Sequence, residues 1–85
     1  MQIGNVEIKL SRVLNVDGEA RASLTMREPL VEDQLVAAES SGSDAIKEIT
    51  FMANLCGVAP SVIRKLPMRD YEKVKKAYSG FTSDD

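Results

Sequence analysis

Three residues punctuate the second half of this chain and limit how many helices it can hold: Gly57, Pro60 and Pro67. Gly57 follows the apolar end of one amphipathic segment, where a left-handed C-terminal cap is expected. Pro60 and Pro67 each sit where a helix can open, because a first-turn residue has no amide bond to lose. Between them, residues 61–66 are long enough for about two helical turns. The spacing predicts a helix from about Asp44 to Cys56, a short helical corner, and a closing helix from Met68 to about Gly80.

The two longer helices differ in pattern. At roughly 100° per residue, Ala77, Phe81, Val74, Tyr78, Tyr71 and Met68 of the closing helix fall on one arc, interrupted by Lys75. Arg69, Lys73 and Lys76 fall opposite, so the helix is one-sided with a basic outer stripe. In the earlier helix, Ala45, Ile46, Ile49, Met52, Ala53 and Cys56 form one apolar face, while Phe51 and Leu55, spaced i and i+4, point the other way. A helix apolar on two sides must be covered on both, or must offer one side to another chain. Both outcomes are open at this level: Phe51 and Leu55 pack between hairpin and closing helix, or they form a partner surface with Val58 and Ile63 alongside.

The first part of the chain has the period of strands. Ile8, Leu10, Leu14 and Val16 share a parity, as do Ala20, Ala22, Leu24 and Met26, with mostly polar residues between them. Asp17-Gly18 is a strong hairpin signal. A two-residue loop there would pair even positions with odd and split the apolar set. The expectation is therefore an odd-length loop with Gly18 in the left-handed region, which keeps the set on one face. Arg12 breaks the pattern at the face edge, where its stem can snorkel, and Val13 points outward.

Arg27-Glu28-Pro29 ends the second strand, since proline cannot donate to a ladder. A helix follows from about Leu30 to Glu39, with Glu32 and Asp33 in a first turn whose dipole favours acids. The loop Ser40-Ser41-Gly42-Ser43 supplies the N-cap of the next helix. The expected fold class is α+β: an N-terminal β-hairpin packed against a small bundle of three to four short helices. It forms one domain over residues 1–85, with the hairpin in 2–26, the helical part in 30–81 and a disordered tail in 82–85.

Composition narrows the chemistry. With 44% hydrophobic and 28% charged residues the chain suits a folded domain. No apolar run approaches the roughly 20 residues that span a bilayer, and a cytosolic setting is expected. There is no histidine, and the single Cys56 builds neither a disulfide nor a zinc site; it reads as a small buried thiol. The glycines are scattered singly, so no phosphate-cradling loop is present. The carboxylate pairs Glu32/Asp33 and Asp84/Asp85 diverge or lie in the tail. No catalytic residue, metal site or cofactor is expected.

Charge is distributed unevenly. Residues 30–60 carry one lysine against five acids, and residues 61–81 six lysines and arginines against two acids. Self-complementary packing, a dipolar surface for self-association and steering of an acidic partner are all compatible with this. The cations Arg64, Lys65, Arg69, Lys73 and Lys76 define a basic surface. A regulatory adaptor would use it to bind an acidic protein or nucleic acid, although Tyr71 and Tyr78 fall on the apolar arc rather than among the cations.

Taken in order, these residues resemble a family. The hairpin on Asp17-Gly18, the strand exit Met26-Arg27-Glu28-Pro29, then Leu55-Cys56-Gly57-Val58-Ala59-Pro60, then Leu66-Pro67-Met68-Arg69-Asp70-Tyr71 and a helix to Phe81 resemble the small tail assembly chaperones of Mu-like contractile-tailed bacteriophages. The resemblance runs from about residue 6 to residue 81. Pro67 departs from it, standing where such proteins often place a Ser or Thr cap.

The resemblance implies a non-enzymatic protein acting in the host bacterial cytoplasm. It would bind the helical tape-measure protein, keep it soluble and help recruit tail-tube subunits, and it would self-associate as a homo-oligomer. Such chaperones often have a longer frameshifted form, of which this chain would be the short product or its ordered domain. The apolar surface would then be Phe51, Leu55, Val58 and Ile63.

Overall fold

The computed structural model describes residues 4–82. The chain runs β1 (Asn5–Val16), β2 (Glu19–Arg27), α1 (Val31–Ala38), α2 (Asp44–Cys56), α3 (Pro60–Arg64) and α4 (Met68–Thr82). This is the expected α+β arrangement of a hairpin followed by four helices. The hairpin expected from residue 2 is described from Asn5 onward, and Thr82 closes α4 instead of opening a tail. The rest of that tail, 83–85, lies outside the described residues.

The hairpin corrects the expected loop. Asp17 and Gly18 both have positive φ, 54° and 82°, and Val16 pairs with Glu19. The loop is therefore the two-residue type whose twist matches that of the strands. Asn15 Oδ1 accepts from the Gly18 N–H at 2.9 Å and fixes the turn. The expected parity problem is real and is solved elsewhere. Near the turn, even pairs with odd: Leu14 stands opposite Arg21. From Lys9 outward the register has changed, with Ile8 opposite Leu24 and Val6 opposite Met26. Residues 10–13 of β1 stand against Ala22 alone, and this odd excess is a bulge. Leu14 and Val16 near the turn stay opposite Arg21 and Glu19, and Ala20 and Ala22 are exposed. The bulge sets Val6 and Ile8 opposite Met26 and Leu24 on one face.

That face makes the sheet's half of the core through Ile8, Leu24 and Met26. Against it lie Met52, Ala53, Leu55 and Cys56 of α2, Ile63 of α3 and Val74 of α4. Burying a Leu, Ile or Met side chain contributes about 1.5–3 kcal/mol each, so these few residues dominate the stability of so short a chain.

The punctuation behaves as expected. Gly57 ends α2 at φ 68° and ψ 31°. Its N–H donates to Asn54 and the N–H of Val58 to Ala53, which satisfies the last carbonyls of the helix. Ser43 caps the start of α2, its Oγ accepting from the Ile46 N–H at 3.3 Å. Pro60 is the first residue of α3. Pro67 instead stands one residue before α4, where its carbonyl accepts from the amides of Asp70 and Tyr71 at 2.9 and 3.0 Å.

Candidate functional site

The two helix starts that carry an aspartate three residues in use it differently. In α1, Asp33 reaches back to the Leu30 N–H at 2.8 Å, as an acid in a capping box does. It also takes both ends of the Arg27 guanidinium at 2.7 Å, tying the strand exit to the helix. That guanidinium, aided by the Leu30 amide, holds the Asp33 carboxyl below its ordinary value against the effect of burial.

In α4 the corresponding backbone donor does not exist, because proline has no N–H. Asp70 therefore turns outward to β1. Its carboxylate, fully buried, accepts from the Ser11 N–H at 3.0 Å and from the Ser11 Oγ–H at 2.9 Å. Ser11 lies in the bulged stretch and its amide points to the outer edge of β1, away from β2, so Asp70 satisfies an edge donor that the ladder does not reach. Arg69 Nε donates to Ser11 Oγ at 2.9 Å, and Lys73 Nζ donates to the Lys9 carbonyl at 3.0 Å. Burial pushes the Asp70 carboxyl up, but Ser11 and Lys73 outweigh it and hold it below its ordinary value. The change of parity in the hairpin and the proline before α4 are thus two halves of one joint.

The expected partner-binding residues do not form an open patch. Leu55 and Ile63 are 1% and 2% exposed and belong to the core. Val58 is half-buried against that core. Phe51, also half-buried, meets Tyr78 edge to face at 5.3 Å between ring centroids. The second apolar side of α2 is covered from within because a small domain has few large side chains for its core. Phe51 still reaches an open depression of about 290 Å³ that it lines with Ala37, Ala38 and Tyr78.

Among the described residues Val6, Val13 and Met68 are exposed on other elements, and most of the remaining exposed large apolar residues lie on or beside α1. Asp33 and Ala37 face the protein, and Val31 and Leu35, half a turn away, face out at 78% and 59% exposure. Leu30 and Val36 flank them and are also exposed, as is Ile46 on α2. Glu28, Glu32, Glu39 and Asp44 are exposed around this face. The low polarity of Leu30-Val31 and Leu35-Val36 was visible in the sequence; that the outward side carries it was not, since a two-turn helix shows little periodicity.

All five expected basic residues are exposed. Arg69 and Lys73, however, are anchored to β1 by the bonds above, which leaves Arg64, Lys65 and Lys76 without partners among the described residues. The thiol of Cys56 is buried, and desolvation pushes it up to about 11. It is a protonated packing group at neutral pH. Among the described residues no group of three His, Cys, Asp or Glu is placed to hold a metal ion, and no helix is long and apolar enough to cross a membrane.

A family model described as phage tail assembly chaperone proteins, E, or 41 or 14, matches residues 7–83. The chain belongs to this family. The matched range takes in β1 from Glu7, all of β2, the bulge and all four helices, so the joint at Asp70 and the exposed face of α1 both lie inside the chaperone domain. Neither a curated protein nor a solved structure matches this tail assembly chaperone.

Proposed function

We propose that this chaperone binds the helical tape-measure protein of the tail in the host bacterial cytoplasm, without catalysis, through the outward face of α1. The observation that carries the reading is Val31 and Leu35, two large apolar side chains spaced i and i+4, standing 78% and 59% exposed on a helix whose other side is anchored. A long helical partner with an apolar stripe is covered by such a face through helix-on-helix packing. The acids around the face suit a stripe flanked by lysines or arginines. Phe51 and Tyr78 extend the apolar area through the adjoining depression.

The same reading includes self-association. Among the described residues the ion pairs are Arg27–Asp33, Lys73–Asp70 and Lys75–Glu72, and none joins the acidic segment 30–60 to the basic segment 61–81. Among the described residues no ion pair bridges this charge separation, which favours contacts between the acidic side of one chain and the basic side of the next.

Co-expression with the tape-measure protein of the same tail tests the reading. The tape-measure protein is expected to become soluble and to co-purify, with little dependence on salt. The double variant Val31→Asp with Leu35→Asp should lose this while keeping the circular dichroism spectrum, because both positions are exposed. Undiminished co-purification by that folded variant refutes the α1 face as the site.

A further inference from the structure

The open edge of β1 supports a second and separate binding site. The Glu28 N–H donates to the Gly4 carbonyl, so even residues of β1 direct their backbone groups toward β2. Odd residues direct theirs to the outer edge, as the Lys9 carbonyl shows by accepting from Lys73 across that edge. At Lys9 and Ser11 the edge is closed by α4, through Lys73 and Asp70. At Asn5 and Glu7 the outward amides and carbonyls have no partner among the described residues. Beneath this free length lies a groove of about 350 Å³ between β1 and α4, with Val6, Ile8 and Ala77 as its floor. Lys9, Lys73 and Lys76 stand around it against one acid, Glu7.

We propose that this edge binds an extended, acidic peptide segment of another protein as a short added strand. The backbone of Asn5 and Glu7 supplies the pairing, the groove takes the side chains from one face of the guest, and Lys76 selects for acid. Lys73 ends the added strand at Lys9, which fixes its register. A second copy of this chain is a poor guest: antiparallel self-pairing centred on this edge sets Glu7 opposite Glu7, and like charges directly opposite destabilise a sheet pair. An unprotected edge is ordinarily a liability, and here the protection stops where the cationic groove begins.

The test uses the whole chain and a blocked peptide of sequence Asp-Val-Asp-Val-Asp, followed by amide NMR. Shifts are expected at Asn5, Glu7 and Lys9, with slowed hydrogen exchange at Asn5 and Glu7. The same peptide N-methylated at the pairing amides should bind about tenfold more weakly or worse, since two backbone hydrogen bonds are lost. Lys76→Glu should weaken binding by about fivefold at low salt and less at high salt. Glu7→Pro removes an outward donor without touching the ladder to β2. It should abolish binding although it also removes a negative charge from the groove. Equal binding of the methylated peptide, or shifts confined to α1, would overturn the proposal, as would dimerisation of the free chain through residues 5–9. The methylated peptide leaves the protein unaltered, so the outcome does not depend on a variant folding.

Discussion

Replacing Asp70 with alanine removes the carboxylate that joins α4 to the β1 bulge, and the structure sets the size of the loss. The side chain is fully buried and accepts two hydrogen bonds from Ser11, with Lys73 at 3.5 Å. A hydrogen bond to a charged group contributes about 1.5–3 kcal/mol, and an amide left unpaired in a partly buried site costs about 1–3 kcal/mol. Relief of the carboxylate's own desolvation offsets part of this. The expected loss for Asp70→Ala is about 3 kcal/mol, a large share of the roughly 4–13 kcal/mol that a chain of this length has in total. Urea unfolding followed by circular dichroism measures it. Ser11→Ala removes the hydroxyl's bonds to Asp70 and to the exposed Arg69 and should cost about 1 kcal/mol, and less in the Asp70→Ala background, where only the Arg69 contact is left to lose.

The same variant carries a sign in pH. The folded carboxyl lies below its ordinary value of 3.8, so its contribution is complete above that value and fades as pH falls through the folded value. Acid unfolding of the native chain should steepen in that window, and Asp70→Asn should remove the part due to this group. A loss below about 0.5 kcal/mol for Asp70→Ala, or additive costs for the two single variants, would refute the claim that Asp70 holds the bulge.

Gly57→Ala should destabilise by about 1 kcal/mol in the same unfolding assay. Nothing lies within 4 Å of the added Cβ, so the cost is that of the left-handed backbone alone. Gly42→Ala should cost more, since φ is 114° there and the new Cβ would meet Ile46 Cγ2 at 2.9 Å. Cys56 should be nearly inert toward a thiol reagent in the folded chain at neutral pH, and should react fully in denaturant, because both burial and its raised value of about 11 withhold the thiolate.

The elements themselves were legible in the sequence because short-range rules govern them. Strand alternation, Asp17-Gly18, the Ser43 cap, the Gly57 cap and the prolines each act within a few residues, and all four helices and both strands stand close to where those signals put them. The absence of histidine, the lone cysteine and the order of motifs from the hairpin to Phe81 were equally readable, and the order of motifs led to the family.

Long-range packing decided the rest. Parity arguments showed that something odd had to lie in the hairpin, but the turn and the bulge restore parity equally well on paper. The bulge carries the odd residue, and within that stretch Ser11 is held by Asp70, which lies far along the chain and is freed by Pro67 from capping its own helix. Likewise, Phe51 and Leu55 against Leu30, Val31 and Leu35 is a competition for limited interior volume. A wheel ranks the faces of one helix but not those of two, so only the assembled core shows that α2 was covered and α1 left open.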